Sequence, residues 1–175
     1  TFTVRSNTAG VSVYTAFDTT DAQTVSQTAA VTYVVAADGS LSTLTATPAT
    51  VTSNGASTAS VVVVLRDVNN NPVAGKVIIL TSNRGGADII QPGSVTTSAD
   101  GSATFTVAST SSGQSVLTAT NATDSMTIAQ TATITFVSGF ADPSASAISA
   151  GSTTLPIGVA GVVTVNVRDS ARNPV

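Results

Sequence analysis

The sequence contains no cysteine, histidine or tryptophan, and all nine of its acidic residues are aspartate. Disulfides and thiolate metal sites are therefore excluded, and the commonest general base and metal ligand is missing. A hydroxyl nucleophile needs an adjacent base, and beyond the aspartates the chain offers only one lysine, Lys76. We expect no enzyme activity, with no catalytic residues, no cofactor and no metal site.

Charged residues are also scarce, at 9% of the chain, and the formal net charge is −3. Nucleic-acid binding needs clustered lysine and arginine, whereas the six basic residues here are scattered. No apolar run reaches the ~18 residues of a membrane-spanning helix, and no secretion signal is recognisable. We expect no nucleic-acid partner and no membrane span in this segment, and targeting information that either was removed or lies outside it.

The residues that are abundant favour strands over helices. Hydrophobic residues make up 42% of the chain, and threonine and serine number 31 and 23. β-branched side chains suit pleated sheets, while the residues that favour exposed helix surfaces are few. The composition predicts a globular, all-β protein with a core of small and β-branched side chains.

Two pairs of segments show that the sequence repeats itself. The opening TFTVRSNTAGVSVYTA recurs as TFTVASTSSGQSVLTA, and residues 1–34 match residues 104–137 at 18 of 34 positions. A second pair, VVVVLRDVNNNPV at 61–73 and VTVNVRDSARNPV at 163–175, is offset by 102 residues. A period of about a hundred residues is that of a whole β-sandwich domain, not of a solenoid unit.

The repeat predicts three tandem domain segments. Residues 1–37 are the C-terminal part of a first sandwich, 38–137 a complete one, and 138–175 the N-terminal part of a third. Neither end segment contains a counterpart of residues 74–103, so the two cannot complete one sandwich together. We expect either a longer chain or neighbouring molecules that cover the exposed strand edges, because unpaired apolar edges invite association.

Alternating apolar and polar residues between turn residues predict the strands of the complete repeat. An Asp-Gly pair at Asp100-Gly101 predicts a tight type I′ hairpin between two of them. The predicted strands are residues 43–46, 59–67, 76–82, 93–97, 103–108, 114–120 and 129–137.

The valine run at 61–64 does not show by itself which face is buried, but its later copy does. That copy has Thr164 and Asn166 at alternate positions, so Val62 and Val64 are predicted to point outward. They are apolar where the copy is polar, which makes Val62 and Val64 our interface candidates for contact with a neighbouring domain. The residues expected to face the core are Val61, Val63, Leu65, Phe105, Val107, Ile134 and Phe136.

The run LSTLTATPATVTSNGASTASVVVVLRDVNNNPVAGKVIILTSN, followed by SVTTSADGSATFTVASTSSGQSVLTAT, resembles the bacterial immunoglobulin-like domains (Big-1 type) of the intimin and invasin adhesins. The resemblance implies tandem immunoglobulin-like β-sandwich domains in a long extracellular protein of the bacterial cell surface, and no catalytic residues. The elements that carry it are Ser53-Asn54-Gly55, Asp67 with Asn71-Pro72-Val73, Thr97 to Gly101, Gly113, and Asp169 with Asn173-Pro174-Val175.

Asp67 and Asn69–71 together offer oxygen ligands of the kind that Ca²⁺ prefers. The third copy, however, places Arg172 in the equivalent loop, which a cation site common to the repeats would not tolerate. Asp38 and Asp142 supply only one carboxylate to each connection between repeats. We prefer an Asx-rich turn and solvated linkers.

Three classes of function remain. The preferred hypothesis is a structural or adhesive repeat region, a stalk or spacer, whose partners are neighbouring immunoglobulin-like domains of the same or adjacent chains. The alternative is a self-assembling subunit, a homo-polymer forming an extracellular filament, sheath or S-layer. A carbohydrate- or receptor-binding module is disfavoured because aromatic residues are few, and Tyr14 and Tyr33 both lie in strand-like runs.

Overall fold

The computed structural model describes all 175 residues and consists of β-strands and one 3₁₀ turn at Gly85–Ala87. It has no helix with the length and hydropathy needed to cross a membrane. The strands are β1 Gly10–Tyr14, β2 Phe17–Asp18, β3 Gln23–Thr24, β4 Ala29–Tyr33, β5 Thr43–Thr47, β6 Thr50–Thr52, β7 Ala59–Val64, β8 Val77–Ser82, β9 Asp88–Gln91, β10 Val95–Thr96, β11 Ser102–Ser109, β12 Gly113–Asn121, β13 Met126–Thr127, β14 Ala132–Val137, β15 Ala147–Ala150 and β16 Val163–Asn166.

Strands β5 to β14 build two sheets that pack face to face. One sheet has the order β10-β8-β12-β14-β6, with β13 beside β12, and the other has the order β5-β7-β11-β9. Every pair is antiparallel except β6 and β14, which run parallel. β5 lies in the four-stranded sheet and β6, which follows it closely, lies in the other sheet. The chain therefore crosses between the sheets at this point. This is the immunoglobulin-like sandwich, and the all-β prediction is confirmed.

A core of 18 buried apolar residues lies between the two sheets. On β7, Val61 and Val63 are fully buried whereas Val62 and Val64 are partly exposed, as strict alternation requires. All seven residues predicted to face the core are buried. Each such aliphatic or aromatic side chain contributes about 1.5–3 kcal/mol on burial, so this register is strongly specified.

All seven predicted strands exist, four of them shorter than predicted, and three more were missed. The missed strands are β6, β9 and β13, of three, four and two residues. β6 follows Pro48 and β9 follows two glycines, so the local sequence indicates a loop in both places. What makes the missed strands strands is their pairing, of β6 with β14, of β9 with β11 and of β13 with β12.

The prediction of a type I′ hairpin at Asp100-Gly101 is wrong. β10 pairs with β8 and β11 pairs with β7 and β9, so the turn connects the two sheets. Only Gly101 has a positive φ, of 78°, whereas a type I′ turn requires positive φ at both central residues. The turn is closed by the Gly101 N–H, which donates to the Ser98 carbonyl at 2.9 Å.

The Asp100 carboxylate stabilises this turn in a pH-dependent way. Hydrogen bonds from the Ser98 and Ser102 hydroxyls hold the pKa of Asp100 at about 2, below its usual 3.8. Because the folded pKa lies below the unfolded one, the contribution is present above the unfolded pKa and is lost as the pH falls through the folded pKa.

We therefore expect Asp100→Asn to melt at a lower temperature than the wild type near neutral pH, with the difference closing as the pH falls from about 4 to about 2. Thermal unfolding followed by circular dichroism across this range measures it. Gly75→Ala, which changes no titratable group, is the control, and its difference from the wild type should not close over this range. A constant difference at all pH values would contradict the assigned role.

Two smaller groups of strands flank the sandwich. β1 pairs with β4 and β2 with β3 on one side, and β15 pairs with β16 on the other. The hydroxyls of Tyr14 and Tyr33 are 3.1 Å apart across the β1–β4 pair. Neither group has a facing sheet, so Ile148 on β15 is 73% exposed, whereas Leu44, at the corresponding place on β5, is 2% exposed.

Candidate interaction surfaces

Val62 and Val64 lie on the outer face of the four-stranded sheet, where β7 runs between β5 and β11. Val62 is opposite Thr45 on one side and Thr104 on the other. Val64 is opposite Thr43 and Ser102. Both valines are half-buried, and their outward orientation is confirmed. Their contact with a neighbouring domain stays a prediction.

The aspartates do not gather into a site: no three of them lie close enough together to hold a metal ion. In the loop weighed for Ca²⁺, Asp67 Oδ1 accepts hydrogen bonds from the backbone N–H groups of Asn69 and Asn71, at 2.9 and 2.8 Å. Oδ2 accepts from the Asn71 side-chain amide at 3.2 Å. These bonds, first those from Asn71, lower the pKa of Asp67. The loop is an Asx turn whose carboxylate is committed to its own backbone.

The equivalent turn in the third copy, Asp169–Asn173, is placed differently, against the end of the sandwich. The Asn173 amide nitrogen is 3.1 Å from Ser53 Oγ and 3.0 Å from the Thr110 carbonyl oxygen. Its side-chain oxygen accepts from the Ser112 backbone N–H at 2.9 Å. Asn173 is 7% exposed and Asp169 only 2%, so this turn is a buried polar contact between distant parts of the sequence.

Asp169 adds a bond to the connecting segment. Its Oδ2 accepts from the Gly139 backbone N–H at 2.8 Å, and its Oδ1 accepts from the Asn173 backbone N–H at 2.8 Å. The connection that leaves β14 is therefore tied to the turn. In the sequence, Asp169 and Asn173 stand out only as part of the family resemblance. The residues of a turn do not indicate which distant residues the turn will contact.

Arg84 braces the loop that receives Asn173. Its guanidinium donates to the Gly113 carbonyl at 3.0 Å and also to the Ser111 carbonyl. It lies 3.6 Å from Asp88, whose side chain is fully buried and accepts from the hydroxyl of Ser115. Sequence reasoning missed this ion pair. A signal was present in the i, i+4 spacing of two charges in a chain with few charges.

At the other end of the sandwich, the Asp67 turn faces the N-terminal segment. The Asp67 side chain makes its hydrogen bonds within its own turn and none to that segment. A crevice of about 290 Å³ separates residues 67–69 from residues 6–9 and 33–36. Residues 6–9 are the repeat counterparts of residues 109–112, the loop that Arg84 braces. At each end of the sandwich, therefore, an Asp-x-x-x-Asn turn lies beside the loop that ends at residue 9 or at its repeat counterpart, residue 112.

The sequence matches a family model for the bacterial Ig-like domain (group 1) over residues 41–137, more than half of the chain. This range contains every strand of the sandwich. No curated protein matches the chain at a significant level.

Several solved structures of bacterial surface proteins have the same fold. Invasin, an integrin-binding protein, superposes with a TM-score of 0.64 and 21% identity over 96% of this chain and 34% of its own. The adhesin InvE of Yersinia pseudotuberculosis gives 0.58 and 29%, over 77% and 36%. The Escherichia coli adhesin FdeC gives 0.60 and 19%, over 89% and 49%. The chain thus spans a third to a half of the length of these structures.

Proposed function

The chain belongs to the bacterial Ig-like domain (group 1) family, and from this premise we propose that it is a structural repeat region of a long adhesin on the bacterial cell surface, where it serves as a stalk or spacer. The observation that carries the proposal is the period of about a hundred residues, within which one sandwich has its own complete core. A superposition over 96% of the chain with a longer adhesin supports it.

The domain organisation forms part of this proposal. Residues 1–37 are the C-terminal part of one immunoglobulin-like domain, 38–137 a complete domain, and 138–175 the N-terminal part of the next. The core of 18 residues draws only on the middle segment, which supports these limits. A self-contained core in each unit lets the number of units set the length of the protein without changing the fold of any one of them.

The experiment that tests a stalk is the removal of one period from the intact native protein. Deleting residues 35–137 joins Val34 to Ser138 and preserves the repeat register. We expect the protein to remain on the cell surface and its projection to shorten by at least about 30 Å, the length of a nine-residue strand such as β12 at ~3.4 Å per residue. Electron microscopy of negatively stained protein measures the projection.

The matched control is duplication of the same residues, which should lengthen the projection by the same amount. A projection whose length does not change in either variant would contradict a stalk. Loss of the protein from the surface in the deletion alone would do so too, because a spacer unit is dispensable for export.

A second candidate function, lateral assembly, is favoured by the partly exposed Val62 and Val64 on an otherwise threonine- and serine-rich face. In this proposal they contact a neighbouring domain of the same or an adjacent chain. The double variant Val62→Thr, Val64→Asn carries the residues of the next copy, Thr164 and Asn166. Assembly predicts association of the wild-type chain in sedimentation velocity, reduced in the variant; a monomeric wild type at all concentrations would contradict it.

A further inference from the structure

The turn Asp169–Asn173 and the end of the sandwich fit each other as a joint. We propose that this turn is a plug, and that Ser53, Thr110, Ser112 and Gly139 form its socket, so that the pair fixes the orientation of one repeat on the next. The inference rests on the proposed function, because it takes the two parts to be successive repeats. It assigns a role in assembly to a motif whose sequence alone suggests only a turn.

The chemistry of the contact selects a carboxamide. The Asn173 side-chain oxygen faces a donor, the Ser112 N–H, while its NH₂ group faces acceptors, among them the Thr110 carbonyl at 3.0 Å and the Ser53 carbonyl at 3.3 Å. Asparagine offers both functions at once, whereas an ionised aspartate only accepts. An aspartate at 173 would therefore turn an oxygen toward two carbonyl oxygens in a buried setting, where unpaired or repelling groups are costly.

The chain contains its own comparison for this turn. The motif Asp-x-x-x-Asn-Pro-Val occurs at 67–73 and again at 169–175, and both turns have the same internal bonds between aspartate and asparagine. Yet Asn71 is exposed and its amide bonds only to Asp67, whereas Asn173 is 7% exposed. The turn thus forms without burial, and what buries Asn173 is the socket.

The socket is built to be rigid. Ser53 is fully buried, and its hydroxyl donates to the Val137 carbonyl at 2.8 Å. The loop that carries Thr110 and Ser112 is held by the Arg84 guanidinium. Through Gly139, the connecting segment itself is bonded to the plug, so the connection cannot swing while the plug is seated.

Part of a second socket faces the other plug. Ser6 to Ala9 have the sequence SNTA, where the socket loop at 109–112 has STSS, and they line the crevice opposite Asp67 and Asn69. The socket loop, or its counterpart, therefore lies beside the plug, or its counterpart, at both boundaries between repeats.

The absence of cysteine allows a direct test by spin labelling. Labels introduced through Thr104→Cys on β11 and Thr164→Cys on β16, both exposed positions, report the orientation of one repeat on the next through electron–electron distance measurements. With the wild-type joint we expect one narrow distance distribution. Asn173→Asp should replace it with a broad one, and Ser112→Pro, which removes the donor from the socket side, should do the same.

Asn71→Asp is the matched control, because it makes the same change in a turn with the same internal bonds but no socket contact. It should leave the narrow distribution intact. The proposed joint is contradicted if Asn173→Asp leaves the distance distribution narrow, or if Asn71→Asp broadens it equally. It is also contradicted if Ser112→Pro has no effect, because the effect of Asn173→Asp would then arise within the turn and not from its contact with the socket. The stalk proposal would survive each of these results, because projection length depends on the number of repeats.

Discussion

Replacing Gly101 by alanine should destabilise the sandwich by about 3 kcal/mol or more, among the larger effects of a single methyl group. Gly101 has a φ of 78°, a conformation that costs a non-glycine residue roughly 1–2 kcal/mol. In addition, a Cβ at this position would lie 2.5 Å from the Leu65 carbonyl oxygen and 3.0 Å from the Val73 nitrogen. Both are backbone atoms, so a change of side-chain rotamer gives no relief.

These backbone atoms also hold the crossing between the sheets together. The Leu65 N–H donates to the Gly101 carbonyl at 2.9 Å, and the Val73 N–H donates to the Leu65 carbonyl at 3.0 Å. Any movement that accommodates the new methyl group must lengthen one of them. Denaturant titration of the folded chain measures the loss.

Gly75→Ala is the control, because Gly75 has nearly the same φ, 75°, with nothing within 4 Å of the position of a Cβ. It should lose only the conformational part, roughly 1–2 kcal/mol. Equal losses at Gly75 and Gly101 would show that backbone conformation, and not the close approach of Leu65, explains the glycine.

Arg84→Met should cost about 3 kcal/mol, because it leaves the charge of Asp88 buried without its partner. The Asp88 side chain is fully buried, 3.6 Å from the Arg84 guanidinium, and Arg84 is itself 13% exposed. The hydroxyls of Ser82 and Ser115 still donate to Asp88 in the variant, but hydroxyl donors do not neutralise a buried carboxylate. Chemical denaturation gives the free energy of unfolding.

The double variant Arg84→Met, Asp88→Asn separates charge from packing. Removing the second charge should recover a large part of the loss, because a neutral amide no longer needs a cation. Arg66→Met is the control: this half-buried arginine donates one side-chain hydrogen bond, to the Asn70 carbonyl, has no buried carboxylate partner, and should cost less than about 1 kcal/mol. A double variant less stable than Arg84→Met alone would contradict the assigned role of the pair.

The sequence predicts those parts of this fold that depend on residues close together in the chain. Alternation placed Phe105 and Ile134 in the core because a strand has only two faces. The repeat resolved the ambiguous valine run, since Thr164 and Asn166 mark as solvent-facing the positions that Val62 and Val64 occupy. The family resemblance rests on the same local patterns.

What the sequence does not predict depends on partners far along the chain. Asp100-Gly101 indicates a turn, but which sheet the next strand joins is decided by the pairing of β11 with β7. Arg84 finds its acceptors 27 and 29 residues away. Asn173 meets Ser53 across 120 residues. Contacts of this kind leave no periodic trace in the residues that make them.

The parallel pairing of β6 with β14 determines how the sandwich responds to tension. A pull on the two ends of this domain drags β6 backward and β14 forward along the same axis, so their ladder is sheared, not unzipped. The bonds from Thr135 N–H to Ala49 and from Ser53 N–H to Val137, each 2.8 Å long, then bear the load together and must fail together. Since forced unfolding is governed by the unfolding rate, this short ladder gives the domain mechanical resistance that its equilibrium stability would not reveal.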